Sequence, residues 1–559
     1  MAASVLVVLS IVSLASFSLC TGIQRTPVVQ TKLGAVQGIV LSTVWNAVSF
    51  STFKGIPFAK PPVGDLRFKA PVPPSPWNGV RDASKESNPC PQIDLFTNTY
   101  MGREDCLYLT VYTPERKFDG SSTGRAVMVF VYPGAYAWGY TNTSFYGPDF
   151  FMEEDVVLVS INHRLGPLGF LSLNHRGALG NAGLKDQVKA LEWVRGNIAA
   201  FGGDPNRVTL FGESSGSGSV SLHLLSEKSK GLFQRSISES GSPLLLLYQS
   251  PADAFSNAAK LSSVLGFQSS NAEEILRFLH TVPAYDMIHA ADVVNVLPSA
   301  LTLPFIPTKE NASLADPEDI FLSECPITLY QTGRTNKGDI MLGFTDNEIL
   351  TFASVLTYLV NRAADVWDAT FTSNPLDRTA IYKALDDTSL VASRLSFYAP
   401  IDLAQRFLVR NNDGYPVYYY VLLYDSPYQF HKHFDNPING TGHYDEVPIL
   451  FNVPKFKLPK DPQDPVNQFR SKLVKLWTNF AKYGNPTPKH ANPLGDVIWE
   501  PSGIAGRMLN ISKHFRMLDR SDVISEPILL FEKLLDFVLP FLTGCNEVVG
   551  PTHDIHLFA

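Results

Sequence analysis

The chain has 559 residues, of which 45% are hydrophobic and 18% are charged. This apolar content excludes a disordered chain, and 38 glycines and 40 prolines without a short repeat exclude collagen-like and coiled-coil proteins. The formal charge of −7 comes without any Lys/Arg-rich run, so the sequence predicts no nucleic-acid partner.

The N-terminus has the pattern of a secretory signal peptide. Residues 2–19 carry no charged side chain, an apolar run extends from Val5 to Val12, and small residues follow up to Cys20. We predict cleavage near Cys20, so that residues 1–20 are the signal peptide and residues 21–559 form the secreted catalytic domain. An uncleaved transmembrane anchor is disfavoured because the apolar run is short for a bilayer span.

Cleavage after Cys20 would leave four cysteines, which can pair in three ways. Cys90 and Cys106 are close in sequence and flank a polar loop, so they are the favoured disulfide, and closing a loop of this size contributes about 3 kcal/mol. The sequence does not decide whether Cys325 and Cys545 pair. Because there is no CxxC or HExxH motif, we predict no metal and no other cofactor.

Four Asn-x-Ser/Thr sequons predict that the secreted chain is a glycoprotein. An acceptor asparagine in such a chain is expected on a surface loop. The candidate acceptors are Asn142, Asn311, Asn439 and Asn510.

Strand-like and helix-like segments alternate through the middle of the chain. The strands are apolar and β-branched without polar alternation, which is typical of strands buried on both faces. Their alternation with helices predicts an α/β fold with parallel crossovers. At roughly 150 residues per domain the length suggests three or four domains, but the absence of a linker between residues 125 and 450 favours one. The predicted elements are strands at 126–131 and 156–159, a helix at 181–201, a strand at 208–211, a helix reaching residue 225, and strands at 340–342 and 417–421.

A candidate nucleophile follows the strand at 208–211. The motif Gly212-Glu213-Ser214-Ser215-Gly216 has the Gly-x-Ser-x-Gly pattern of a nucleophile elbow, in which glycines relieve crowding around a strained serine. The bare pattern is weak, but here a strand precedes it and a helix follows it. This context predicts that Ser214 is exposed in a cleft and that the N–H of Ser215 can bind developing negative charge.

Segments spread over most of the chain match the motifs of one known family. They are residues 55–59, 66–68, 104–109, 164–170, 180–187, 193–194 and 197–205, followed by Gly212-Glu213-Ser214. Together these segments resemble the carboxylesterase type-B family. The resemblance implies an α/β-hydrolase fold, with a large, central, mostly parallel sheet flanked by helices in a single elaborated domain. It also implies a Ser-His-Glu triad and the Cys90–Cys106 disulfide.

The resemblance selects the other two members of the triad. His443, in Gly440-Thr441-Gly442-His443, resembles the family's histidine loop; His431 and His433 are its closest rivals as the general base. The family places its glutamate five residues after a glycine that corresponds to Gly343, which selects Glu348 over the neighbouring Asp346. Ile349 stands where the family commonly has glycine, a change that removes no functional group.

The predicted oxyanion hole departs from the family pattern. Many relatives have three glycines after the strand, where this chain has Pro133-Gly134-Ala135. Proline has no N–H, but it occupies the first position, which need not donate. We therefore expect the N–H groups of Gly134, Ala135 and Ser215 to form a working hole.

These features predict a secreted serine carboxylesterase that hydrolyses small carboxylic esters through an acyl-enzyme. An inert binding protein of the same fold is the main alternative, and labelling of Ser214 by an organophosphate discriminates between them. A cholinesterase is disfavoured because the loop between Cys90 and Cys106 contains no tryptophan to bind a quaternary ammonium. Xenobiotic, lipid, hormone and pheromone esters remain open as substrates, as does the oligomeric state.

Overall fold

The structure is a computed structural model, which describes residues 24–95, 97–121, 124–244, 246–296, 303–352, 378–434 and 437–542. The predicted signal peptide, Cys20 and Cys545 lie outside the described residues. Within the described part of the chain, no helix is both long and apolar enough to cross a membrane.

Among the described residues, eleven strands form one central sheet. They are Ile39–Ser42 (β1), Ser49–Pro57 (β2), Tyr108–Thr113 (β3), Arg125–Val131 (β4), Val157–Ile161 (β5), Gly203–Glu213 (β6), Arg235–Glu239 (β7), Asp339–Thr345 (β8), Val417–Leu422 (β9), Met508–Ile511 (β10) and Arg516–Leu518 (β11). In space the strands run β11-β10-β9-β8-β7-β6-β4-β5-β3-β2-β1. All neighbouring pairs from β5 through β4 to β10 are parallel, and the pairs towards the two edges are antiparallel, so the mostly parallel α/β sheet predicted from the sequence is confirmed.

Helices cover the sheet, and the longer ones join its parallel strands. Amphipathic α1 is confirmed: its apolar residues at three- and four-residue spacing are buried, and it passes into a 3-10 turn at Ile198–Phe201 before β6 begins. The helices of ten residues or more are Ala182–Asn197 (α1), Ser215–Leu225 (α2), Pro251–Val264 (α3), Ala272–Thr281 (α4), Ala284–Val296 (α5), Arg378–Ser393 (α6), Ala399–Asn411 (α7), Pro465–Tyr483 (α8) and Glu526–Leu542 (α9).

Shorter elements fill the connections between these strands and helices. They include two small sheets, one of three strands (Val29–Gln30, Ala35–Gln37 and Val80–Asp82) and one of two (Gln92–Ile93 and Tyr100–Met101). The short helical segments are Gly64–Leu66, Asp149–Met152, Gly166–Phe170, Glu227–Ser229, Ala312–Leu314, Pro317–Asp319, Pro326–Gln331, Arg394–Tyr398, Phe430–Phe434, Val447–Leu450, Pro454–Phe456 and Arg520–Asp522.

Strand β7 is a central strand that the sequence analysis missed. Its sequence, Arg-Ser-Ile-Ser-Glu, lacks the continuous apolar run of its neighbours, although Ser236 and Ser238 are buried. The strand is nevertheless paired on both sides, with β6 and with β8. Backbone pairing on both sides therefore accounts for a strand at this position, without a continuous apolar run.

The disulfide favoured from the sequence is present between Cys90 and Cys106. It closes a loop that contains the two-stranded sheet at Gln92–Ile93 and Tyr100–Met101. Cys325 is also disulfide-bonded.

A buried ion pair holds the loop after β5 against α1. Arg164 donates from Nε and Nη2 to the two carboxylate oxygens of Asp186, at 2.8 and 2.7 Å, and both side chains are at most 3% exposed. Two residues further on, the N–H of Gly166 donates to the carbonyl of Tyr136 at 2.7 Å. The pair therefore supports the turn that contains Gly134 and Ala135.

Removing the cation of this pair is expected to destabilise the fold strongly. Burial raises the pKa of Asp186, and Arg164 opposes that shift. Arg164→Met leaves a buried carboxylate without its partner, so the free energy of unfolding in a urea titration should fall by about 3–5 kcal/mol. Arg25→Met breaks an exposed pair with Asp82 and should cost less than about 1 kcal/mol. Equal losses in the two variants would contradict the argument.

Candidate active site

Ser214 occupies the sharp turn between β6 and α2. Its backbone has φ 58° and ψ −121°, a region that residues with a side chain rarely adopt. The N–H of Ser214 donates to the carbonyl of Glu239 at 2.8 Å, which ties the turn to β7. Helix α2 begins at Ser215, so the N–H of Ser215 is one of the donors left without an intrahelical acceptor.

The glycines of the motif are required because the turn packs directly against the end of β4. A Cβ on Gly216 would lie 2.1 Å from the carbonyl oxygen of Val131, and a Cβ on Gly212 would lie 2.6 Å from the same atom. No side chain fits at either position. The pattern Gly-x-Ser-x-Gly is therefore explained by this contact and by the positive φ of Ser214.

His443 and Glu348 are brought together although 95 residues separate them. The ring Nδ1 of His443 lies 2.6 Å from Oε2 of Glu348, and the N–H of Thr345 donates to Oε1 at 2.8 Å. A carboxylate on Nδ1 holds the ring in the tautomer whose Nε2 accepts a proton. Of the two carboxylates considered from the sequence, the structure places Glu348 and not Asp346 against the ring.

The opposite edge of the His443 ring faces the serine turn. Nε2 lies 3.2 Å from Oε1 of Glu213, the residue before Ser214. The rings of Phe352 and Phe397 lie with their centroids 5.3 and 5.1 Å from that of His443. These contacts fix the plane of the imidazole between Glu348 and the turn.

Four buried glutamates surround this histidine, and three of them were not identified as functional from the sequence. Glu213, Glu239, Glu348 and Glu446 are each at most 1% exposed. Burial, reinforced by the other carboxylates, raises the pKa of Glu213 and that of Glu446 well above their ordinary values. Burial also raises the pKa of Glu239 to about 7, opposed by a hydrogen bond from Trp477.

Ser240 connects this acidic cluster to the sheet. Its hydroxyl donates to Oε1 of Glu446 at 3.0 Å, and its N–H donates to the carbonyl of Gly343 at 2.9 Å. The side chains of Glu239 and Glu446 were not identified as functional from the sequence. The only indication of a role there is that these charged residues occur in segments that are otherwise buried.

The oxyanion loop is a tight turn with unusual backbone angles. The carbonyl of Gly134 accepts from the N–H groups of Ala137 and Trp138, at 2.8 and 3.0 Å. Ala135 and Tyr136 have φ values of 55° and 58°, and such left-handed residues cost about 1 kcal/mol or more each. Among the described residues, the N–H groups of Gly134, Ala135 and Ser215 donate to no protein acceptor.

A cavity of about 270 Å³ opens beside Ala135. Most of the described residues that line it are apolar, two are aspartates, and none is cationic. These residues come from the disulfide loop, the oxyanion loop, α5 and the segment before Phe305, and include Ile93, Leu95, Trp138, Ile288, Ala291 and Leu303, with Asp94 and Asp292. A smaller space of about 20 Å³ shares Asp94, Leu95 and Trp138 with this cavity.

The described residues contain no cluster of three or more histidine, cysteine, aspartate or glutamate side chains that could hold a metal ion. What the site brings together is a hydroxyl on a strained turn, an imidazole held by a carboxylate, and backbone N–H groups without acceptors. These are the groups that nucleophilic catalysis uses.

A mostly parallel sheet with a serine on a strand-to-helix turn, an acid after a later strand and a histidine beyond it defines an α/β-hydrolase. The chain belongs to the carboxylesterase family, whose sequence profile matches residues 25–521. As a member of that family it is a carboxylic ester hydrolase.

Individual relatives agree with this assignment. The chain is 34% identical over 536 residues to juvenile hormone esterase of Tribolium castaneum, covering 88% of this chain and 90% of that protein. It is 33% identical over 510 residues to esterase FE4 of Myzus persicae, covering 85% and 87%. The solved structure of Manduca sexta juvenile hormone esterase, with OTFP covalently attached, superposes with a TM-score of 0.77 at 26% identity, over 92% of this chain and 99% of that one.

Because the pKa of Glu239 is raised, this residue should make the stability of the protein depend on pH. Substituting Glu239 should remove that contribution. Between its ordinary value of 4.5 and a folded pKa of about 7, the folded protein retains a proton that the unfolded chain has released. Stability therefore falls as pH rises through this window, by about 3 kcal/mol in total. Glu239→Gln keeps the acceptor for Trp477, so its thermal stability relative to the native protein should increase from pH 5 to pH 8. The exposed Glu227→Gln should not change the curve, and parallel curves for all three proteins would contradict the assignment.

Proposed function

We propose that the protein is a secreted serine carboxylesterase in which Ser214, His443 and Glu348 form the catalytic triad. The observation that carries the proposal is the 2.6 Å contact between Glu348 and Nδ1 of His443, with Nε2 directed to the turn that bears Ser214. The covalently attached ligand in the Manduca sexta esterase structure supports chemistry based on a nucleophile.

In the proposed reaction Nε2 of His443 removes the hydroxyl proton of Ser214 as its oxygen attacks the ester carbonyl carbon. The carbonyl oxygen becomes an oxyanion held by the N–H groups of Gly134, Ala135 and Ser215. His443 then donates the proton to the departing alkoxide, which leaves as the alcohol. Water repeats the sequence on the acyl-enzyme, releasing the carboxylic acid and restoring Ser214.

The substrate class follows from the cavity beside Ala135. Its apolar lining and its two aspartates, without a cation among the described residues, favour an uncharged, apolar group over a carboxylate or phosphate. A volume of about 270 Å³ accommodates a group of moderate size. The similarity to two juvenile hormone esterases supports the same preference for esters of apolar molecules.

We also propose secretion and glycosylation, with residues 21–559 acting as one catalytic domain after removal of the signal peptide. Disulfides at Cys90–Cys106 and at Cys325 support an oxidising compartment. Asn311 and Asn439 are exposed and Asn142 is partly exposed, as glycan acceptors must be. Asn510 is only 8% exposed within β10, so its burial argues against a glycan there.

Replacing the nucleophile tests the proposed function directly. Ser214→Ala should lower kcat for p-nitrophenyl acetate by about 10⁴-fold or more and abolish labelling by an organophosphate, because no other group supplies the attacking oxygen. Ser217→Ala is the control on helix α2. It loses a buried hydrogen bond from its hydroxyl to the carbonyl of Gly241 and should keep turnover and labelling. A Ser214→Ala variant as active as the native enzyme would exclude the triad.

The 270 Å³ cavity and the 20 Å³ space share Trp138 as a lining residue, and its side chain is expected to limit substrate length. Trp138→Ala should join the two spaces and shift the optimum of kcat/KM toward longer esters, measured on one series with varied acyl chains and one with varied alcohols. Tyr285→Ala, on α5 but with a half-exposed ring outside the cavity lining, is the control. An unchanged optimum in both series would show that the substrate does not reach Trp138.

A further inference from the structure

His443 is followed, two residues later, by a fully buried aspartate that three donors surround. Oδ1 of Asp445 accepts from the N–H of Phe430 at 2.6 Å. Oδ2 accepts from the N–H of Gly442 at 2.5 Å and lies 3.1 Å from Nδ1 of His431. Burial raises the pKa of Asp445, but the hydrogen bonds from these two backbone N–H groups, one to each oxygen, oppose that shift and favour the ionised carboxylate, which only accepts hydrogen bonds.

The partner of this carboxylate is a histidine with an acceptor at each ring nitrogen. Nδ1 of His431 faces Asp445, and Nε2 lies 3.2 Å from the carbonyl oxygen of Ile438. A neutral imidazole donates from only one nitrogen, whereas the imidazolium donates from both. With the ring fully buried, the pattern is satisfied by the doubly protonated form, which makes His431 and Asp445 an internal ion pair.

The backbone of the catalytic loop rests directly on this pair. A Cβ on Gly442, the residue before His443, would lie 3.3 Å from Nδ1 of His431 and 2.5 Å from Oγ1 of Thr351. The segment that bears the acid holds the loop as well: Thr351 donates to the carbonyl of His443 at 2.7 Å, and the N–H of His443 donates to the carbonyl of Glu348 at 3.2 Å. The backbone of His443 is thus held by the acid segment and, through Gly442, by the His431–Asp445 pair.

We propose that the His431–Asp445 ion pair is a positioning pair for the reaction. It fixes the backbone of His443, and its two opposite charges offset each other in their effect on the ring of His443. The proposal rests on His443 acting as the general base. Both residues of the pair are fully buried, so their effect on catalysis passes through His443.

Other charged and titratable groups among the described residues lie near the pair. Lys432 donates to the carbonyl of Ile438 at 2.6 Å and lies 4.0 Å from Asp425. His433 stacks on Phe456, and Lys455 lies on the same short helix as Phe456. On the side of the acid segment, Asp346 approaches Gly440. Substituting one member of the pair therefore changes the charge nearest to the histidine loop.

Single substitutions should shift the pH profile in opposite directions. His431→Gln leaves the negative charge of Asp445, which favours protonated His443, so the acid limb of kcat/KM should move to higher pH by about 0.5 unit or more. Asp445→Asn removes the carboxylate two residues from His443, so the protonated form of His443 loses a stabilising charge and the limb should move to lower pH. The double variant, which lacks both charges, should lie between them.

Loss of positioning should lower kcat without a comparable change in KM. Both single variants are expected to lower kcat for p-nitrophenyl acetate by about 10- to 100-fold while KM changes little, because the contacts to substrate are untouched. His433→Gln is the matched control: it makes the same substitution two residues along the same turn, at an exposed ring, and should leave both the rate and the profile unchanged.

Profiles that coincide with that of the native enzyme, or that move in the same direction for both single variants, would overturn the proposal. If a variant does not fold, selective ¹⁵N-histidine labelling of the native protein decides the question. Two ring N–H protons on His431 support the pair, and a single one overturns it. If turnover by the native enzyme did not depend on Ser214, the proposed function itself would be refuted. The two failures are therefore distinguishable.

Discussion

The site depends on one close approach, between the end of β4 and the turn that carries Ser214. With the carbonyl of Val131 only 2.1 Å from where a side chain on Gly216 would begin, the turn has room for backbone alone. This forces the chain to reverse sharply and gives Ser214 its positive φ. The same β4 end leads into the oxyanion loop, so one contact sets the relative position of the hydroxyl and the proposed N–H donors.

The second constraint is electrostatic. Four buried glutamates lie around one histidine, and four negative charges in so small a volume would be costly. Glu348 has the N–H of Thr345 and the ring of His443 to stabilise its charge, whereas the pKa values of Glu213, Glu239 and Glu446 are raised, so these groups tend to hold protons. His443, the proposed general base, therefore has one carboxylate placed against its ring by a hydrogen bond, and the other three acids of the cluster have raised pKa values.

The sequence predicted those parts of the molecule whose signals are local. The apolar runs of β4 and β5, the helical period of α1 and the glycines beside Ser214 each occupy a short stretch, and the structure confirms the strands and the helix. Glu348 and His443 were selected only through a family resemblance, because nothing local distinguishes Glu348 from Asp346.

What the sequence did not predict depends on distant contacts. Strand β7 is paired on both sides although Ile237 is its only apolar residue. Glu446 lies near Glu239 because the fold places it against Ser240, 206 positions earlier in the chain. His431 was considered as a rival base, but it proves to be the partner of Asp445. Its role could not be read before the fold placed the two side chains in contact.

The Cys90–Cys106 loop has a consequence for how the enzyme is produced. Ile93 and Leu95, which line the cavity beside Ala135, belong to this loop, whereas Glu348, His443 and the serine turn are held by hydrogen bonds that need no cysteine. Synthesis in a reducing cytosol would thus leave the proposed catalytic groups in register but release one wall of this cavity. The expression host would then change the range of esters that the recombinant protein accepts. It would have less effect on its ability to hydrolyse esters.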